Sequence, residues 1–343
     1  MRPRAVAALL LGSIVLLGQE PAEGPGERIQ VEVNVVNIPV TVRDGGGRFI
    51  VDLTKDDFEI TEDGQPVEIR YFAQSHEQAD PPPLRVGFLI DLSNTARLYY
   101  KTYKDSIGDL AYLLAPEGGR NKAFLMGYHT EVDLLVDTTN DPYLIAHRME
   151  NLKHGGGSAL LEAVYKACTE KLVSDPYQGA GEPRKVVVIV GDGHDNASKY
   201  TVEQVIDAAQ RNQVTIYAIS TEAWGYHEEQ EQNLHRMASE TGGRVTQPMQ
   251  DVHKDVPGQL SRSQDSGNYA YTVGTGEAAL AQRKALSQAI LDITGEVKSQ
   301  YVLGYVPPTP FSDGRFRKVK VRVKLGVEVE VNHRSGYFPP EIK

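Results

Sequence analysis

Two uninterrupted apolar runs, Val86-Gly-Phe-Leu-Ile90 and Val186 to Val190, each lead into a loop that carries an aspartate. The first passes into Asp91-Leu92-Ser93-Asn94-Thr95 and the second into Gly191-Asp192-Gly193. Runs of this kind suit strands buried on both faces, as in parallel α/β sheets. Ligands in such sheets bind beyond the carboxyl ends of the strands. Both aspartates therefore fall where a site would form. Asp91, Ser93 and Thr95 place a carboxylate and hydroxyls at alternate positions of a tight loop. These are hard oxygen donors, suited to a magnesium-class cation and not to zinc or copper. A Gly-rich turn, Gly155-Gly156-Gly157-Ser158, adds a further hydroxyl and opens an expected helix between the runs. Its glycines allow backbone to approach a site closely. One metal site assembled from three loops, using Asp91, Ser93, Thr95, Ser158 and Asp192, is the simplest physical reading.

The rest of the chain divides around these runs. Ile29 to Arg43 alternates apolar and polar residues, Asp44-Gly-Gly-Gly47 signals a turn, and short strands are expected at 49–53, 58–61 and 67–72. This pattern predicts an antiparallel meander of about four strands. Asp80-Pro81-Pro82-Pro83 reads as a linker. Strands are then expected at 85–90, 122–128, 132–136, 186–190 and 214–220. Helices are expected near 97–114, 143–151, 159–173, 202–211, 229–241 and 279–297. That alternation predicts a mostly parallel central sheet covered by helices, an α/β fold. Residues 248–278 are polar and Gly-rich and read as a long loop. Strands return at 301–305, 316–325 and 327–331. Basic residues between Arg315 and Lys324 alternate with Phe316, Val319, Val321 and Val323, the pattern of a strand with one wet face. Few-stranded sheets are weak alone. The N- and C-terminal strands are therefore expected to pair into one β-sandwich-like module, with the α/β domain inserted.

The three loops, in order and on the expected elements, resemble those of a von Willebrand factor A domain. Asp91-x-Ser93-x-Thr95, Gly156-Gly-Ser158-Ala-Leu160 and Val190-Gly-Asp192-Gly193 carry the likeness. Met237-Ala-Ser-Glu-Thr-Gly-Gly-Arg244 and Gln300-Tyr-Val-Leu-Gly-Tyr305 resemble later parts of such domains in secreted bacterial proteins. Asp52-Leu-Thr-Lys-Asp-Asp-Phe58 and Glu62-Asp-Gly64 resemble the region before the domain. The resemblance spans about residues 30–338. It implies a Rossmann-like domain over 84–297, with β segments at 28–79 and 298–338. It further implies a metal-ion-dependent adhesion site (MIDAS) holding Mg2+ or Mn2+, with the coordination completed by an Asp or Glu of a protein partner. Asp91, Ser93, Thr95 and Ser158 would be direct or water-bridged ligands, and Asp192 would bind directly or through water. The family pattern is Asp-x-Ser-x-Ser, then Thr, then Asp. Thr95 and Ser158 depart from it, and both substitutions keep a hydroxyl.

Arg2 and Arg4 precede an apolar stretch from Ala5 to Leu17. That layout predicts a signal peptide over 1–19, too short to favour a spanning helix, followed by a flexible leader over 20–27. No integral membrane span is expected once the signal is cleaved. The chain is expected to be secreted or held in the periplasm or cell envelope. A net charge of −10 argues against a general nucleic-acid binder. The single cysteine, Cys168, excludes an internal disulfide and reads as a buried thiol on a helical face.

Enzyme motifs are sparse. His154-Gly-Gly-Gly157 superficially matches an esterase oxyanion loop, but no G-x-S-x-G elbow accompanies it. No Walker A loop or H-E-x-x-H occurs. Asp192-Gly-His-Asp-Asn196 lacks EF-hand spacing, and His194 reads as a solvent-facing loop residue. The expectation is a non-enzymatic, exported, metal-dependent interaction module. The alternative is a metal-assisted hydrolase using the same ion, which would need a general base within reach of metal-bound water.

Overall fold

All eight residues of β5 (Leu84–Asp91) are buried, as the apolar run Val86–Ile90 within it predicts. The computed structural model describes residues 35–74, 82–98, 100–174, 183–221, 229–248, 277–308 and 314–339. The expected signal peptide, the leader, the start of the first strand and most of the 248–278 loop lie outside these residues. β5 is a central strand of a six-stranded sheet. Its neighbours are β8 (Arg184–Gly191) on one side and β6 (Lys122–Tyr128) on the other. β9 (Val214–Ser220) and β10 (Val245–Thr246) extend the sheet beyond β8, and β7 (Val132–Thr139) closes the other edge. Every pair is parallel except β6 with β7.

Alternate residues of the central strands feed two cores. On one face Val86, Phe88, Ile90, Val188 and Val190 pack with Ile107 and Leu110 of α1 (Tyr100–Leu114). Ile145 of α2 (Pro142–Arg148) and Ile290 and Ile293 of α6 (Glu277–Lys298) complete that core. On the other face Leu89, Val187, Ile189 and Tyr128 pack with Leu160 and Val164 of α3 (Leu160–Lys166). Val205 of α4 (Val202–Arg211) and Leu234 and Met237 of α5 (Glu229–Thr241) share that core, as does Cys168. Burial pushes the Cys168 thiol up to about 12, which fits an inert structural residue. Together these layers form the expected α/β fold.

The flanking strands form two four-stranded antiparallel sheets, and both combine strands from the two ends of the chain. One has the order β13-β1-β11-β4 and the other β14-β12-β2-β3. Their ranges are β1 (Val36–Asp44), β2 (Phe58–Glu62), β3 (Gln65–Val67), β4 (Ile69–Gln74), β11 (Tyr301–Tyr305), β12 (Arg317–Val323), β13 (Val329–His333) and β14 (Gly336–Tyr337). Ile38, Val40, Phe58, Ile60, Leu303, Val319 and Val321 share one apolar core. The sandwich-like module is therefore present, but the N-terminal meander is not. β11 lies between β1 and β4, and of the described N-terminal strands only β2 and β3 pair as sequential neighbours. Residues 49–53 form no strand and contribute a single bridge, Arg43 to Phe49. Local turn signals at 44–47 and 62–64 are real, but long-range partners from the C-terminal strands decide the pairing. On β12, Val319 and Val321 are buried while Lys318, Lys320 and Arg322 are exposed, as the alternating pattern predicts.

Three expected helices are interrupted. The 97–114 helix begins as a 3-10 turn, Ala96–Leu98, before α1. The 143–151 helix relaxes into a 3-10 turn at Met149–Asn151. The 159–173 helix ends in a π turn over Ala167–Lys171.

α6 leads directly into β11, and its last turn is tied to the sandwich by charge. Glu296, 1% exposed, accepts hydrogen bonds from Arg43 of β1 at 3.0 Å and from Arg244 at 2.8 Å. Arg244 also donates to Glu330 of β13 at 2.6 Å. In the sandwich, the buried Glu62 accepts from the Tyr305 hydroxyl at 2.7 Å and the Tyr337 hydroxyl at 2.9 Å. Among the described residues, no helix is long and apolar enough to cross a membrane.

Candidate metal centre

Asp91 is the last residue of β5, and its carboxylate organises the loop that follows. The Ser93 amide donates to Asp91 Oδ1 at 2.7 Å. The Ser93 and Thr95 hydroxyls share a hydrogen bond at 3.0 Å. Thr95 Oγ1 then donates to Asp192 Oδ2 at 3.2 Å. Asp192 follows β8, and its other oxygen accepts the His194 amide at 2.9 Å. Four of the five expected residues thus form one hydrogen-bonded chain across the carboxyl ends of β5 and β8. Asp91 and Ser93 are buried, Asp192 is half-buried and Thr95 is exposed, so the cluster has a closed floor and an open rim.

The fifth residue, Ser158, is placed differently. It is buried at the start of α3, and its hydroxyl donates to the His194 carbonyl at 2.7 Å. It meets the loop after β8 two residues beyond Asp192. Its hydrogen bonds therefore tie it to that loop, through both backbone and the Asn196 side chain, and not to the Asp91 cluster. The Gly-rich turn reaches the cluster through backbone: the Gly155 amide donates to the Leu92 carbonyl at 2.9 Å, and the Asn94 amide to the Gly156 carbonyl at 3.4 Å. Gly156 has a φ of +81°, and a Cβ there would strike the Thr130 hydroxyl, so close packing and backbone conformation both call for glycine.

Capping explains the remaining polar residues of the third loop. Asp195 Oδ2 accepts the Leu161 amide at 2.7 Å, and Ser198 Oγ accepts the Glu162 amide at 2.8 Å, so both satisfy the first turn of α3. Asn196 Oδ1 accepts the Ser158 amide at 2.8 Å. His194 is half-buried and not the fully solvent-facing residue expected.

The electrostatics fit a cation. Burial, and next the charge of Asp192, push the Asp91 carboxyl up to about 7. Like charges held together out of water are unfavourable until a positive charge lies with them. The donors are all oxygens. No group of three or more His, Cys, Asp or Glu stands ready to hold a metal among the described residues. An ion here would rest on two carboxylates plus hydroxyls, with water filling the remaining positions.

Tyr128 was not singled out from the sequence. It is the last residue of β6 and sits in register with Asp91 across the parallel β5–β6 pair. Its hydroxyl is buried and has no hydrogen-bond partner among the described residues. Burial, followed by the charges of Asp91 and Asp192, raises this phenol well above its ordinary value, so it remains an O–H donor. The available signal was a polar-tipped aromatic closing an otherwise apolar strand, Ala123 to Tyr128.

One comparison, with a family model, agrees with the α/β architecture. The family model for the von Willebrand factor type A domain matches residues 86–256. No curated protein matches the chain. Similar solved structures include the conserved hypothetical protein BatB from Bacteroides thetaiotaomicron, at 14% identity and a TM-score of 0.39, covering 60% of this chain and 98% of that one. A mutant of the PilB minor pilin from Streptococcus sanguinis aligns at 13% identity and a TM-score of 0.41, covering 65% and 63%. Proximal thread matrix protein 1 from the mussel byssus, described with a zinc-occupied MIDAS motif, aligns at 14% identity and a TM-score of 0.45, covering 65% and 48%.

Proposed function

Since residues 86–256 belong to the von Willebrand factor type A domain family, we propose that this chain is an exported interaction module that captures an acidic residue of a protein partner through a bound Mg2+ or Mn2+. One observation carries this reading: Asp91, Ser93, Thr95 and Asp192 are linked by hydrogen bonds at the carboxyl ends of β5 and β8, with Thr95 at an open rim. Asp91, Ser93, Thr95 and Asp192 hold the ion. Ser158 contributes through the loop after β8, or directly once its bond to the His194 carbonyl is released. The ion supplies the positive charge that the paired carboxylates lack and a coordination position for the partner's carboxylate. One desolvated cation–carboxylate contact gives orientation and much of the affinity, which suits recognition and requires no chemical step.

The α/β domain spans about 84–297, between β segments at 28–79 and 298–338 that support it as one sandwich. A cleaved signal over 1–19 and a leader over 20–27 place the module in the periplasm, the envelope or outside the cell.

The test is calorimetric titration of Mg2+ and Mn2+ into the metal-stripped protein and its Asp91→Ala variant. The parent binds one equivalent and the variant does not. Equal binding by both, or by neither, rules out the site. A pull-down from the native envelope then checks the bridge, because EDTA should abolish partner capture.

A further inference from the structure

Gly191 is the last residue of β8 and lies on the same face of the sheet as Ile189, Leu89 and Asp91, the face shared by Tyr128. Because Gly191 has no side chain, a gap remains beside Asp91. The Tyr128 ring reaches across β5 to fill it. A Cβ built on Gly191 would collide with the Tyr128 hydroxyl, and would lie 3.2 Å from Asp91 Cβ and 3.4 Å from Asp91 Oδ2. The hydroxyl and the Asp91 carboxylate therefore border the same small space beneath the loop cluster.

The two groups complement one another. Asp91 Oδ1 accepts the Ser93 amide. Oδ2 faces the gap. The Tyr128 hydroxyl is a donor with no acceptor among the described residues. A buried hydroxyl without a partner costs free energy, and packing alone would be served as well by phenylalanine. A donor stored against a carboxylate therefore suggests work in another state of the site.

We propose that Tyr128 is a positioning residue for the metal centre: its hydroxyl donates to Asp91 Oδ2, directly or through one buried water, when a cation draws the carboxylate into place. The bond fixes which lone pairs of Asp91 point at the ion. Gly191 is the companion feature, since any larger residue would exclude the hydroxyl from this position. This inference rests on the metal-site reading above and assigns that site a residue outside the three loops.

The experiment compares the metal-stripped parent, Tyr128→Phe and Asp91→Ala by calorimetric titration with Mn2+ and with Mg2+, and by thermal unfolding without metal. Groups that orient metal ligands typically contribute about 10–100-fold in affinity, so Tyr128→Phe should weaken both ions by a factor in that range. Its metal-free midpoint should match or exceed the parent's, because an unpartnered buried hydroxyl has been removed. Parent-like affinity in Tyr128→Phe, with Asp91→Ala inactive, overturns this inference and leaves the metal site standing. A metal-free midpoint that falls together with affinity also overturns it, since the hydroxyl would then be structural. A parent that binds neither ion overturns both readings.

Discussion

Thr95 donates its hydroxyl to Asp192 at 3.2 Å across 97 positions of sequence. That bond joins the loop after β5 to the loop after β8 at the open rim of the site. It also shows why threonine can stand where the family pattern has serine: the donating oxygen is retained, and the extra methyl lies at an exposed position.

Thr95→Val keeps the shape of the side chain and deletes this oxygen. Mn2+ affinity should fall about tenfold or more, whereas Thr95→Ser should stay near the parent. Parallel calorimetric titrations read both. Equal affinity in all three proteins would remove Thr95 from the site.

Asp91 makes the metal-free protein sensitive to pH. Its folded value of about 7 exceeds the ordinary 3.8, so across that window the folded state holds a proton that the unfolded chain has released. Stability from this group is fully present below 3.8, declines as pH rises, and is lost above about 7. The limiting slope is about 1.4 kcal/mol per pH unit. Burial first, and then the charge of Asp192, raise this carboxyl, while the Ser93 hydrogen bonds and His194 oppose them; the Tyr128 hydroxyl borders the same carboxyl without setting its value. Denaturant titrations at several pH values should show the decline in the metal-stripped parent, its loss in Asp91→Asn, and its reversal on adding Mg2+ at neutral pH.

Gly191→Ala places a methyl group against the Tyr128 hydroxyl. Overpacking of this kind costs about 1–3 kcal/mol. Adding Tyr128→Phe removes the colliding oxygen and should recover part of that loss. A double-mutant cycle by chemical denaturation should give a coupling of about 0.5 kcal/mol or more. Strict additivity would contradict the contact.

Glu296 joins α6 to the sandwich through Arg43 and Arg244. Glu296→Ala leaves the buried Arg43 without its closest carboxylate partner, an arrangement that costs about 3–5 kcal/mol. Chemical denaturation should show that loss. A change below about 1 kcal/mol would mean that the network is well solvated.

Much of the site was legible because strand-end chemistry is local. An apolar run followed by an aspartate predicts a buried strand delivering a carboxylate, and Asp91 and Asp192 sit as that rule requires. Ser158 was legible as a hydroxyl at a Gly-rich turn, but its hydrogen-bond partner, the His194 carbonyl, depends on how two loops pack. Tyr128 was legible only as a polar-tipped strand end, since the β5–β6 register is what brings it beside Asp91. The N-terminal meander failed for a similar reason. Turn signals at 44–47 and 62–64 act locally, whereas β1 finds β11 and β13 from the far end of the chain.

The sequence by itself determined the α/β alternation, the buried central strands and the oxygen-only donor set, because periodicity and side-chain chemistry are properties of short segments. Tertiary structure decided the rest: which strands from the two ends share a sheet, that Glu296 is held between two arginines, and that a tyrosine hydroxyl occupies the space left by Gly191. These relationships depend on register and packing between distant segments, which local sequence patterns do not encode.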